Sequence, residues 1–186
     1  MAKQTETKKY LLRLMSLHVL KHGLNAASLR PLAVAADTSD RMLIYHFGSK
    51  ADLLNELLKF IAADLAARLD DALPTGPAKS NQSCISEIIA LLRSPPYSDY
   101  MKLWFDVVSA AGHGNLQHAT VGHTIIEGFL EWLELRLPAC AEKPRQTACL
   151  MLTLIEGTLV MDSVGQSHVA NIALDRLFAN LGAEAI

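Results

Sequence analysis

The sequence predicts an all-α chain of about nine helices, a three-helix head at the N-terminus, of which the second and third are short, and longer helices after it. Three observations predict it. Apolar residues recur three and four apart over long segments, and no segment alternates strictly enough to read as a strand. Gly, Pro and Ser clusters interrupt those segments at helix-length intervals. Apolar residues make up 51% of the 186, enough to cover the inward faces of that many helices.

The first segment spans about Thr7–His22, with Leu11, Met15 and Val19 on one face and Leu12 alongside. Lys21 and His22 suit the negative end of a helix, and Gly23 is placed to terminate it. Ser28 is an N-cap for the second helix, where Pro31 falls in the first turn and removes no needed donor. Leu29, Leu32, Ala33 and Ala36 give that helix its inward face.

The run DTSD follows. Asp37 tolerates a left-handed backbone better than most residues, and Ser39 can cap a third helix from Asp40 to about Phe47. Gly48 stops it. Ser49-Lys50-Ala51-Asp52 then matches the S-x-x-[DE] capping pattern and opens a long fourth helix reaching about Leu73.

Pro74–Ser83, PTGPAKSNQS, reads as a linker. Beyond it, helices are expected near Cys84–Arg93, Ser98–Ala111, Asn115–Leu137, Pro144–Gly165 and His168–Leu181. Pro95-Pro96, Gly112-His113-Gly114 and Pro138 punctuate them. No internal repeat or low-complexity segment is visible.

Charge is unevenly spread. Residues 1–60 hold nine Lys/Arg against five Asp/Glu, a net of +4, whereas residues 61–186 hold eight against fourteen, a net of −6. A basic head on an acidic remainder suggests that only the head meets a polyanion. Cys84, Cys140 and Cys149 are too dispersed for a disulfide framework and include no C-x-x-C pair, so zinc is unsupported and a reducing, cytoplasmic setting fits. Arg13 and His18 interrupt the first apolar run, so helical periodicity explains it better than a signal peptide does, and no stretch is long and apolar enough to span a bilayer.

Enzyme signatures are missing as well. His113, His118 and His123 are five apart, so a helix turns successive side chains away from one another. There is no E-x-x-H and no G-x-S-x-G, and GHGNLQ follows no strand. No cofactor is expected and no catalytic residue is assigned.

Two short helices joined by a tight polar turn, with a longer helix in front, are the parts of a helix-turn-helix, which sets its second helix into the DNA major groove. Leu43 and Phe47, four apart, share a face that can pin that helix to a core. Asp40, Arg41, Met42 and Tyr45 are left facing outward.

The segment ASLRPLAVAADTSDRMLIYHFGSKADLL resembles the signature of the tetracycline-repressor (TetR) family of regulators, most closely at Tyr45–Leu54, with Leu11, Val19 and Gly23 also in register. Beyond Leu54 only the helical layout and LTLIEGTLV are similar. Two departures stand out. The turn holds Ala36-Asp37-Thr38-Ser39 where the family has Ala-Gly-Val-Ser, and Ile44 stands where a phosphate-reaching Tyr is usual. Asp40 also puts an anion on the reading helix, able to accept from a cytosine amino group or to repel phosphate.

The resemblance implies a DNA-binding head, residues 1–48, and a ligand-binding and dimerisation body, residues 49–186. Residue chemistry and resemblance together nominate Ser28, Arg30, Ser39, Asp40, Arg41, Met42, Tyr45, His46 and Lys50 for DNA. Arg41 is the best base reader, since Arg bonds guanine bidentately, and Met42 suits a thymine methyl. Ser28 and Arg30 are placed for phosphate; Tyr45 and His46 resemble the family's phosphate-side contacts. Lys50 adds its charge to a helix N-terminus.

For the body, the resemblance implies a pocket for a small hydrophobic or aromatic effector, with Met101, Trp104, Phe105, Val108, His123, Ile126, Glu127, Phe129, Leu152 and Glu156 as candidate lining. The same residues also read as ordinary core. LMLTLIEGTLVM looks too apolar to face water on any side, and Gly157 and Thr158 permit close helix approach, so the last two helices are expected to form a homodimer. The function implied is a repressor released from a palindromic operator when ligand shifts the fourth helix. An alternative remains open, a helical protein-interaction adaptor with a degenerate head, for which Asp40 and Ile44 speak.

Overall fold

The computed structural model describes residues 2–183, with side chains described over residues 5–179. Among the described residues there are nine α-helices, one 3-10 turn and no strand. In chain order they are α1 (Ala2–His22), the 3-10 turn Leu24–Ala26, α2 (Leu29–Ala35), α3 (Asp40–Phe47) and α4 (Lys50–Ala72). Then come α5 (Asn81–Leu92), α6 (Pro95–Gly112), α7 (Leu116–Arg136), α8 (Pro144–Ser163) and α9 (Ser167–Ala183). None is long and apolar enough to cross a membrane.

Boundaries differ from expectation where local chemistry was underweighted. Helix α1 starts at Ala2 rather than Thr7, because Ala, Lys, Gln and Glu all propagate a helix. Helix α6 begins at Pro95: prolines at the first positions lose no hydrogen bond, so Pro95-Pro96 starts the helix instead of separating two. The last three residues of the expected linker are the first turn of α5. Ser80 caps it by accepting from the Ser83 amide at 3.0 Å, and the Ser83 hydroxyl returns the bond by accepting from the Ser80 amide.

The chain divides into two compact units. The first holds residues 1–68 and 95–127, that is α1 to α3, most of α4, α6 and the first half of α7. Its core is built from Leu11, Leu12, Met15 and Val19 of α1, Leu32 and Ala33 of α2, and Leu43 and Phe47 of α3. Leu53, Leu57 and Ile61 of α4, Leu103 and Val107 of α6 and Val121 of α7 complete it. Its buried hydroxyls are spent on neighbours: Ser16 donates to Arg13 O, Tyr97 to Arg68 O, and Tyr100 to the Asp64 carboxylate. Burial and that acceptor push the Tyr100 phenol up to about 12.

The second unit holds residues 69–94 and 128–186. Arg136 pins the segment after α4 there: its Nη1 donates to Pro74 O at 3.1 Å, its Nε to Asp70 at 3.1 Å, and its carbonyl accepts from Ala78. Cys84 is buried, and its thiol is pushed up to about 11 by desolvation, so it is protonated at neutral pH and a poor nucleophile.

Arg93, just past α5, grips Asp162 of α8 through two bonds of 2.8 and 3.0 Å. The Arg93 bond holds the Asp162 carboxyl below its usual range against the opposing effect of burial. A carboxyl depressed in the folded state contributes stability above the unfolded pKa and loses it as pH falls through the folded one. The Arg93→Ala change is therefore expected to cost ~1 kcal/mol at pH 7 and less at a pH low enough to protonate Asp162 in the folded chain. Urea denaturation at the two pH values checks this; an equal loss at both would refute the ion-pair account.

Candidate nucleic-acid interface

The reading helix is short and depends on its surroundings. Eight residues cannot hold a helix in water unaided. Helix α3 is fixed at both ends and along one side. At the start, the Ser39 hydroxyl accepts from the Met42 amide at 3.3 Å. At the end, Gly48 has φ 87°, a left-handed conformation open to glycine at little cost, and its amide bonds back to Ile44 O at 2.8 Å. Along the side, Leu43 is fully buried and Phe47 is 4% exposed.

The turn before it works without glycine. Asp37 takes φ 49° and is the one non-glycine residue with positive φ among those described. The amides of Asp37 and Thr38 bond to Val34 O and Ala33 O. Aspartate is among the few side chains that adopt this geometry readily. The departure from the Gly-containing turn therefore leaves the helix-turn-helix intact.

What remains outside is a polar and cationic face. Asp40 and Arg41 are exposed, Met42 is 40% exposed and Tyr45 is 69% exposed. Arg30 on α2 and Lys50, the first residue of α4, are exposed as well. Arg30, Arg41 and Lys50 have no side-chain partner among the described residues, so their charges are free to meet phosphate or base edges. His46 is half-buried against the Tyr45 ring, 5.2 Å between centroids and edge-on, with its Nδ1 buried and unpaired.

Two local expectations need correction. Ser28 sits at the N-cap of α2 in an extended conformation, yet its hydroxyl makes no capping bond. Ser49 caps α4 by accepting from the Asp52 amide at 3.0 Å, but Asp52 does not reach back to the Ser49 amide. Its carboxylate accepts instead from the Ser49 hydroxyl at 2.6 Å. A side chain that accepts a proton from its own capping partner closes the ring locally, so the reciprocal half of the box is not needed.

Three residues that the sequence did not single out hold this arrangement. Lys8 of α1 bonds both carboxylate oxygens of Glu56 on α4, at 2.8 and 3.1 Å, and lies 4.9 Å from the centre of the Phe47 ring. It therefore touches the end of the reading helix and the helix after it. Asp106 of α6 accepts from the Leu24 amide at 3.1 Å, and a Cβ at Gly23 would lie 3.1 Å from that carboxylate. Partners 48 and 82 residues apart leave no local pattern to read.

The comparisons with known proteins bear on this head and on the fold. Residues 19–57 match the family model of bacterial regulatory proteins, tetR family, a segment running from the end of α1 into α4. Over these residues the head is similar to the TetR family. The matched segment contains the helix-turn-helix formed by α2 and α3. No curated protein matches the chain.

Solved structures share its architecture. One is a TetR-family transcriptional regulator from Rhodococcus sp., at TM-score 0.71 and 15% identity, covering 91% of this chain and 95% of that one. Another is the multidrug binding protein EbrR complexed with imidazole, at 0.62 and 20%, covering 92% and 89%. A third is FadR from Bacillus subtilis in complex with stearoyl-CoA, at 0.58 and 15%, covering 90% and 95%. At these identities the likeness shows the fold.

The expected ligand residues do not fall in one unit. Met101, Trp104, Phe105, Ile126 and Glu127 are half-buried in the first, with Val108 46% exposed and His123 exposed. Phe129, Leu152 and Glu156 lie in the second, Leu152 at 8% exposure and the other two half-buried. The stretch LMLTLIEGTLVM does face out on one side: Leu150, Thr153, Gly157, Val160 and Val164 follow one another at three- and four-residue steps and are all exposed. Thr158 is buried at 4%, so of the two residues expected to permit close helix approach only Gly157 faces out.

Proposed function

We propose that the protein is a sequence-specific transcriptional repressor whose operator is released by a small hydrophobic or aromatic effector. The exposed face of α3, held by buried Leu43 and Phe47, carries this reading. Arg41 reads a guanine and Met42 a thymine methyl, while Ser28, Arg30, Ser39, Tyr45, His46 and Lys50 meet the backbone around them. Asp40 either accepts from cytosine or weakens the grip on neighbouring phosphates. The functional division falls between residues 48 and 49, with the candidate lining residues in the following part. That relatives of the same fold were solved with stearoyl-CoA and with imidazole supports an effector, without naming this one.

The exposed stripe on α8 has the alternating three- and four-residue spacing of a helix-packing seam. Val169 and Ile172 on α9 are exposed beside it in sequence order, at 45% and 66%. Two copies meeting through these helices form a two-fold dimer, which sets two reading helices about one DNA turn apart and calls for a near-palindromic operator.

Fluorescence anisotropy on DNA selected from genomic fragments tests the reading. Affinity should fall steeply with rising salt as phosphate contacts release counterions. A salt-insensitive interaction, or no DNA selected at all, would favour the protein-adaptor reading that Asp40 and Ile44 suggest.

A further inference from the structure

One ammonium group stands at the joint between the reading helix and α4. Only Gly48 and Ser49 separate the two helices, and Gly48 lies at φ 87°, in a region that glycine enters freely. So short and permissive a link does not fix the angle between α3 and α4; side-chain contacts must. The foot of α4 is held from α7, where Gln117 Nε2 donates to Ala51 O at 2.9 Å. From α1, Lys8 Nζ donates to Glu56 Oε1 and Oε2 at 2.8 and 3.1 Å and stands over the Phe47 ring, 4.9 Å from its centre. Phe47 is the last residue of α3, and Glu56 lies within the first two turns of α4. All three residues belong to the first compact unit.

We propose that Lys8 is a positioning residue for DNA recognition: by engaging Glu56 and Phe47 together, it sets the angle at which α3 presents Arg41 to base edges. This rests on the regulator reading above and adds a residue that acts through Phe47 rather than on DNA. The Lys8 and Glu56 side chains are 29% and 41% exposed, and a pair so open to water adds little to folding stability. Its contribution is geometric. One charge that meets both oxygens of a carboxylate and the face of a ring fixes two helices against a third. A small tilt of α3 spoils a bidentate arginine–guanine contact, which needs two bonds in one plane, before it spoils contacts to phosphate. Loss of the joint therefore lowers discrimination more than general DNA affinity.

Competition binding by the full-length chain, with the selected operator against a scrambled duplex, tests it. Lys8→Met and Glu56→Met each break the joint but change the charge of the head in opposite senses, and methionine is a good helix former of similar length. Affinity for scrambled DNA is expected to fall in Lys8→Met and to rise in Glu56→Met. The operator-to-scrambled ratio is expected to fall about three- to tenfold in both, and no further in the double variant. Lys8→Arg should keep most of the ratio, because a guanidinium can pair with the carboxylate and stack on the ring. Lys9→Met removes a neighbouring exposed charge and should leave the ratio unchanged. Partial unfolding of the head lowers both affinities by the same factor, so a merely structural role would not move the ratio.

A ratio that keeps its parental value in Lys8→Met or in Glu56→Met would overturn the proposal. So would an equal fall in Lys9→Met, or losses that add in the double variant. Amide NMR without DNA separates the two levels. Lys8→Met and Glu56→Met are expected to shift the resonances of α3 and Gly48, and Lys9→Met to leave them in place. A parent chain that selects an operator, with variants that move neither these resonances nor the ratio, removes this inference only. A parent chain that binds no DNA, with the shifts still seen, removes the regulator reading and leaves Lys8 as the residue that sets α3 against α4.

Discussion

Arg41→Ala is expected to lower affinity for the selected operator about ten- to a hundredfold while leaving affinity for unrelated DNA almost unchanged. A bidentate arginine–guanine contact discriminates by ~1–3 kcal/mol, and Arg41 is the exposed, unpaired cation on the exposed face of α3. Removing one charge from a larger set of phosphate contacts weakens general binding much less. Arg41→Lys should recover the charge and little of the discrimination, because lysine is not a planar fork. Competition binding with operator and scrambled duplexes measures both terms. Equal losses on the two DNAs would show that Arg41 touches only phosphate.

A second variant separates support from contact. Leu43→Ala removes a fully buried side chain from the back of the same helix. Large-to-small changes at such sites cost ~2–5 kcal/mol, a cavity term adding to lost burial. The urea midpoint should fall accordingly, whereas Leu43→Met, which keeps volume, should cost less than ~1.5 kcal/mol. DNA binding should drop with the folded fraction of the head, and cooling should restore part of it. Arg41→Ala should leave the urea midpoint where it was. A Leu43→Ala protein as stable as the parent would mean that α3 is not braced by its buried face.

The elements legible in sequence were those fixed by neighbours a few residues away. Ser39, Leu43, Phe47 and Gly48 bound and orient α3 within one stretch, and Asp37 announces the turn before it. The ends of α1 and α6 were misplaced because good helix formers and first-turn prolines give no sharp start. The residues that tie the head together lay beyond any local pattern. Lys8 finds Glu56, and Asp106 finds Leu24, only once the helices are packed. His118 gave no signal of its burial: its spacing to other histidines argued against a metal, and nothing in the sequence said that its ring would be covered. The candidate lining residues were chosen as apolar stripes, a pattern that core and pocket share.

The Asp106 bond to the backbone after α1 bears on protein engineering. A chimera that exchanges only the first 48 residues with those of a relative would carry the grafted Leu24 amide to a recipient with no matched carboxylate. The graft would also leave Lys8 facing a foreign residue in place of Glu56. Transplants of DNA specificity onto another sensor should therefore move α6 and the opening turns of α4 along with the head, as one discontinuous cassette.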